Sequence, residues 1–241
     1  MGQNCQLDGV SQSTVLYQSS SGSTILRPKY GIDESGCFLK EKSYIVGCEA
    51  DSELNGSQPP LPKLRSTLFK QDERQHPNGI YITHLNFRYT VVTPQHLQSV
   101  QKWLYERQQT SQQDSLANAN PYDVTWIIGV CNVVKALGRE DADIIMDAFS
   151  NPDNVKSWMA TLMQELFMLN IPAESLRMEV EADENFYPVN EADRMGYMIR
   201  MSDLARKRKI KIKRGRNRIP PEYFTDFADH FVPFQIGLHP I

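Results

Sequence analysis

Apolar residues recur at helical spacing along most of the second half of the chain. The stretch 121–137 is apolar on almost every side, which predicts a buried helix at the centre of the core. The stretch 150–167 opens with a capping-box pattern and continues with apolar residues three and four positions apart, which predicts an amphipathic helix. The same patterning predicts three further helices, after Thr93-Pro94, over 140–149 and from Asn190 to Leu204.

The first third of the chain carries weaker patterns. Residues 1–25 are rich in Ser, Gln, Gly and Asn, which is typical of a flexible arm. Residues 49–63 combine an Asn-Gly turn with a Pro-rich run and are interpreted as a linker. Short apolar runs over 24–46 are interpreted as strands or extended arm segments. One alternating run, 80–89, follows the Asn78-Gly79 turn and predicts a strand.

These patterns predict a mainly α protein: a single helical domain with a short β element and extended N- and C-terminal arms. The predicted organisation is a flexible or extended arm over 1–63, a mainly helical core with a basic face over 64–223, and an aromatic tail over 224–241. A length of 241 residues suffices for one sizeable core. Since the four cysteines lack metal-ligand spacing and no secretory signal is visible, we expect reduced thiols and a cytoplasmic or nuclear location, or a place in a virion.

Charge changes this picture at one place. The chain has a formal net charge of −3, yet the stretch 206–218 holds nine of its 26 Lys and Arg residues and no acid. Like charges at this density repel one another unless a counter-charge is present. The stretch therefore predicts an anionic partner, and nucleic acid, with RNA favoured over DNA, fits a row of cations along an extended strand.

The predicted nucleic-acid-binding residues are the cations of this stretch and one aromatic stacking platform. Two alternatives stay open from the sequence: the stretch is a nuclear-localisation signal, or it pairs with the acidic segment 174–193 of the same chain. The residues predicted to bind are Arg206, Lys207, Arg208, Lys209, Lys211, Lys213, Arg214, Arg216, Arg218 and Tyr223.

The C-terminal tail is strongly aromatic and must be covered by something. It either packs back on its own body or docks onto a neighbouring copy of the chain, which would build a homo-oligomer. The residues predicted to mediate oligomerisation are Phe224, Phe227, Phe231 and Phe234.

Catalytic patterns are weak, so the sequence predicts no catalytic residue, no metal site and no cofactor. The five histidines are scattered, and no Gly-rich phosphate loop is present. The leading hypothesis is a non-enzymatic structural protein that binds nucleic acid and self-assembles, like a viral nucleoprotein, coat or capsid protein. The first alternative is a matrix-type or adaptor protein that binds an anionic membrane or an acidic protein. The second is a metal-dependent nuclease that uses Glu179, Glu181, Asp183 and Glu184.

Overall fold

The computed structural model shows a mixed sheet with helices on both faces. It describes residues 28–50, 83, 85–110, 116, 118–138, 141–147, 152–208, 212–214, 217–219 and 227–237. The strands are β1 (Lys29–Gly36), β2 (Ser43–Ala50), β3 (Asn86–Val92), β4 (Asp143–Asp147), β5 (Leu176–Glu179), β6 (Ile212–Arg214), β7 (Asn217–Ile219) and β8 (Phe231–Val232). The α-helices are α1 (Pro94–Thr110), α2 (Pro121–Leu137), α3 (Pro152–Phe167), α4 (Ala182–Asn185) and α5 (Tyr187–Arg208).

Six strands form the main sheet in the order β5-β4-β1-β2-β3-β8. The strand β2 runs antiparallel to both its neighbours, β1 and β3, whereas the pairs β1–β4, β4–β5 and β3–β8 are parallel. The strands β6 and β7 pair with each other in a separate antiparallel ladder. The carboxyl ends of β1, β4 and β5 therefore meet at one edge of the sheet.

The prediction of a mainly α fold is wrong, because this sheet organises the molecule. Residues 29–50, which fall within the segment predicted as an arm, supply its two central strands. Seven of the eight residues of β2 are buried, since helices cover both faces of the sheet. A strand buried on both faces shows no polar alternation, and that is why the pattern was not recognised as a core strand.

A second error has the same cause. The predicted helix over 140–149 is in fact β4, whose central residues Ile144, Ile145 and Met146 are fully buried. A run of three apolar residues fits a buried strand as well as a helix turn. The predicted helices at 94, 121–137 and 152–167 are confirmed as α1, α2 and α3, and the basic stretch begins on the last turn of α5 as expected.

The core has two parts, one on each face of the sheet. The helix α2 covers one face, where Gly129 lets it approach Ile45 and Val92. The helix α5 covers the other face and packs Met195 and Ile199 against apolar side chains of β2 and β3. Within the part of the chain that the structure describes, no helix has the length and apolar character needed to cross a membrane.

The contact between α5 and β1 is a backbone contact. A Cβ atom on Gly31 of β1 would lie 2.1 Å from the carbonyl carbon of Pro188 and from the amide nitrogen of Val189. Further along, a Cβ atom on Gly196 would lie 3.2 Å from the Cβ of Ser35. Both contacts advance in the same direction, so α5 runs parallel to β1, and their register is set at two points.

Substituting these two glycines separates a backbone clash from a side-chain contact. We expect Gly31→Ala to lower the free energy of unfolding by more than about 3 kcal/mol. The main chain of Pro188 and Val189 cannot make room for the added methyl group unless α5 moves away from β1. The matched variant Gly196→Ala is expected to stay within about 1 kcal/mol of wild type, since a gain in helix propensity offsets its tight contact. Urea denaturation followed by circular dichroism measures both values, and equal losses would contradict this register.

Candidate acidic site on the central strand

Two carboxylates lie side by side where the middle of β1 meets the carboxyl end of β4. The parallel register pairs Ile32 with Met146, so the next residues, Asp33 and Asp147, are neighbours. Side chains alternate along a strand, and Gly31 faces α5, so Asp33 faces α5 as well. The sheet thus brings two acids from distant segments onto one face.

The short helix α4 holds the second of these acids. The backbone N–H of Ala182 donates a hydrogen bond of 2.7 Å to Oδ1 of Asp147. The next residue, Asp183, is 1 % exposed, and its carbonyl oxygen accepts a hydrogen bond of 2.8 Å from Nδ2 of Asn190 on α5. A network of main-chain and amide groups therefore fixes Asp147 and Asp183 relative to α5.

A fourth carboxylate reaches the site from α5. Asp193 lies between the two points where α5 touches β1, and it is 7 % exposed. Burial first, and then the charge of Asp193, raise the pKa of Asp33 well above its usual range, and the charges of Asp147 and Asp183 add to the effect. The hydrogen bond of 2.7 Å that the backbone N–H of Glu34 donates to Oδ1 of Asp33 works in the opposite direction. Four acids thus share one half-enclosed site, which we call the acid cluster.

Glu34 lies on the other face of β1, toward α2. Burial raises its pKa to about 7, and a hydrogen bond with the Trp126 side chain lowers it in part. Its Oε2 atom has no hydrogen-bond partner among the residues described by the structure. Glu34 is therefore a carboxyl group that burial keeps close to half-protonated at neutral pH.

The acid cluster offers oxygen donors alone, which is the donor set that Mg²⁺ and Mn²⁺ accept. Across the described ranges, no group of three or more His, Cys, Asp or Glu side chains already stands in metal-ligand arrangement. Mg²⁺ is commonly held through one or two carboxylates with several water molecules in the remaining positions. Asp33 and Asp147 suffice for such a site, so the residues present fit a divalent ion.

The predicted nucleic-acid-binding residues lie at the end of α5 and beyond it. Arg206 and Lys207 are exposed on its last turn, and Arg208 ends the helix. The ladder of β6 and β7 carries Lys213, Arg214 and Arg218, with Lys213 opposite Arg218. The others, Lys209, Lys211, Arg216 and Tyr223, lie outside the described residues. That this stretch binds nucleic acid stays a prediction.

Three of the four phenylalanines predicted to mediate oligomerisation contact their own chain. Phe227 is buried and meets the ring of Phe87 edge to face, with centroids 6.3 Å apart. Phe231 contacts Tyr89 across the β3–β8 pair, and Phe234 stacks on His96. Phe224 lies outside the described residues. Self-assembly through the tail stays a prediction.

Sequence reasoning missed most of the acid cluster. Among the acids proposed for a nuclease, Asp183 belongs to the cluster, whereas Glu179 forms an ion pair of 3.0 Å with Arg177. The missed residues are Asp33, Asp147 and Asp193, and the first two each follow directly on a buried apolar residue of a strand. That abrupt change from apolar to acidic was the signal in the sequence that could have found them.

The fold and the site together define an α/β domain with a carboxylate cluster on its central strand. No protein-family model matches the chain, and no curated protein matches it in sequence. Among solved structures it resembles RNase HII of Archaeoglobus fulgidus in a complex with PCNA, with a TM-score of 0.45, 14 % identity and coverage of 84 % of this chain and 81 % of that one.

Two further similar structures are Bst-RNase HIII chains. A point mutant of that protein gives a TM-score of 0.44 and 16 % identity over 83 % of this chain. The complex with Mn²⁺ gives a TM-score of 0.41 and 16 % identity over 76 % of this chain. The present chain spans 62 % and 55 % of the length of these two proteins.

These findings correct the leading hypothesis from the sequence. The prediction of a non-enzymatic structural protein of the viral nucleoprotein, coat or capsid kind is wrong: the similar structures are ribonucleases. The acid cluster explains why the sequence misled. Its members come from separate segments, so they gave no local motif to set against the contiguous basic stretch.

Glu34 generates a prediction about pH. Between about pH 4.5 and 7 the folded chain keeps a proton that the unfolded chain has released, so the free energy of unfolding falls as pH rises through this window. The loss from this one group is about 3 kcal/mol. Glu34→Gln removes it and should raise stability at pH 7.5, as measured by urea denaturation in EDTA.

The exposed variant Glu106→Gln serves as the control and should follow the wild-type profile. Asp33 retains a pH dependence of the same sign in all three proteins. If Glu34→Gln kept the full wild-type slope between pH 4.5 and 7, the burial of the Glu34 carboxyl would be refuted.

Proposed function

We propose that this chain is a metal-dependent nuclease that hydrolyses phosphodiester bonds at the acid cluster. One observation carries the proposal. Asp33 lies on a central strand, and the carboxylates of Asp147, Asp183 and Asp193 are close enough to interact with it electrostatically. A protein gains no stability from such an arrangement by itself, because like charges in a partly buried site oppose one another.

A divalent cation would offset that repulsion. Buried carboxylates that are brought close together either keep a proton or coordinate a metal ion. Asp33 and Asp147 would be the ligands, since they are adjacent across β1 and β4, and the Ala182 N–H orients Asp147 from outside. Asp183 and Asp193 would add negative charge around them without needing direct contact.

The chemistry follows from this donor set. A divalent ion held by carboxylates supplies Lewis-acid activation of water and compensates the charge that develops on a phosphoryl oxygen. Asp33 and Asp147 would hold and orient the ion, and α5 covers the site from one side.

Charge at the end of α5 favours a polyanionic substrate. Arg206 and Lys207 are exposed on the last turn, and the sequence continues with basic residues through Arg218. Cations that neutralise phosphates supply most of the affinity of proteins for nucleic acid. We therefore infer that the substrate is nucleic acid, and a panel of single-stranded RNA, RNA–DNA hybrid and DNA duplex identifies which kind.

Substitution in one strand provides a matched test. Asp147 and Asp143 are the two ends of β4, and Asp147 alone belongs to the acid cluster. We expect Asp33→Asn and Asp147→Asn to lower the cleavage rate by about 10³-fold or more, because each removes a charged ligand. Asp143→Asn should keep the rate within about threefold of wild type.

Cleavage of labelled substrates with Mg²⁺ or Mn²⁺, followed on denaturing gels, measures these rates. EDTA should abolish activity and excess Mg²⁺ should restore it. Wild-type protein that cleaves no member of the panel, or Asp33→Asn protein that cleaves at the normal rate, would overturn the proposed function. Circular dichroism on each variant shows that its fold is retained.

A further inference from the structure

We propose that Lys42 and Lys207 together form a phosphate-binding site for the backbone of nucleic acid, at the opposite end of α5 from the acid cluster. The inference rests on the proposed function for its substrate class and on a separate set of residues for its geometry. Lys42 lies in the connection between β1 and β2, and Lys207 lies on the last turn of α5.

A buried tyrosine anchors one of the two lysines. The Tyr44 hydroxyl donates a hydrogen bond of 2.5 Å to Oδ2 of Asp203, and the same oxygen accepts from Nζ of Lys207 at 2.9 Å. Tyr44 is 4 % exposed and sits in β2, so this chain of bonds ties Lys207 to the sheet. Nearby on the same helix, Arg200 forms an ion pair with Glu41. The last turns of α5 are thereby fixed to the connection that carries Lys42.

Lys42 lies in the chain between Glu41, which pairs with Arg200, and Tyr44, which bonds Asp203, so it is held close to the last turns of α5. Its contact with Lys207, and then burial, lower the pKa of Lys42. Both residues are exposed, and Asp203 bonds Lys207. Two ammonium groups held together around one carboxylate leave a net positive charge. Asp203 offsets one of the two positive charges, and a phosphate oxygen between the two ammonium groups would be bound by both and offset the other.

Position relates this pair to the acid cluster. The helix α5 runs parallel to β1 and carries Asp193 beside Asp33, so it leads from the cluster toward Lys207. The helical rise places Lys207 about 21 Å beyond Asp193 along the axis. This distance matches about six base pairs of a duplex. After Lys207 the chain adds seven more cations, up to Arg218, and no acid.

Lysine-to-glutamine variants test the site. The variants are Lys42→Gln, Lys207→Gln and the double variant. The control is Lys102→Gln, since Lys102 is also an exposed helix lysine that pairs with an acid four residues away, at 3.8 Å from Glu106. Fluorescence anisotropy measures binding of a labelled RNA strand and of a labelled duplex, each of about 20 units. EDTA is present throughout, so that no cleavage occurs.

We expect the double variant to bind the labelled strand about tenfold more weakly at about 0.1 M salt, with each single variant in between. Its slope of log affinity against log salt should be smaller than the wild-type slope by about 1.4, because two phosphate contacts are lost. The control should keep both affinity and slope.

An unchanged slope in the double variant would overturn the site, even if cleavage at the acid cluster is demonstrated. So would a double variant that loses binding to phosphatidylserine vesicles while it keeps full affinity for both nucleic acids. Conversely, if the wild-type chain cleaves nothing while the double variant shows the expected smaller slope, the nuclease is refuted and the phosphate site stands. The two proposals can therefore fail separately.

Discussion

The backbone contact of α5 with β1 is the constraint on which the rest of the structure depends. At Gly31 the main chain of Pro188 and Val189 lies so close that no side chain fits between them. This contact sets the register of a helix of 22 residues. Asp193 therefore lies over Asp33, and Asp203 reaches Tyr44. This single backbone contact thus sets the positions of both the acid cluster and the pair of lysines.

Whether the sequence predicted an element depends on how other elements bury it. The helices α1, α2 and α3 carry proline near their starts and an apolar stripe or core, so local patterns were sufficient to find them. The strands β1, β2 and β4 lie between two layers of helices and show apolar runs without alternation. Their pairing is a long-range property, and no short window of sequence contains it.

The residues of the candidate site also fall into those that the sequence shows directly and those that only the fold brings together. Lys207 and its neighbours are contiguous in the chain, so the sequence alone showed their charge. Asp33 and Asp147 are far apart in the chain and become neighbours through the parallel register of β1 and β4. Asp183 and Asp193 lie in a segment whose acidity was visible, but only the fold shows that they face Asp33. A cluster assembled by a sheet edge gives no local motif, which explains why the basic stretch dominated the interpretation of the sequence.

The charges along α5 also agree with the physics of the helix itself. Asp183 precedes its first turn and Asp193 lies in its first half, whereas Arg206 and Lys207 occupy its last turn. The cations of the last turn each favour the helix by about 0.3–1 kcal/mol through its dipole, whereas the first turn of α5 carries no acid. That gain is small beside the cost of bringing the carboxylates of Asp147, Asp183 and Asp193 close to Asp33. The helix dipole therefore accounts for the cations at the carboxyl end of α5 and not for the acids or their burial. The proposed divalent cation would offset the charge of the buried acids, and the proposed nucleic acid would offset that of the cations at the other end of α5.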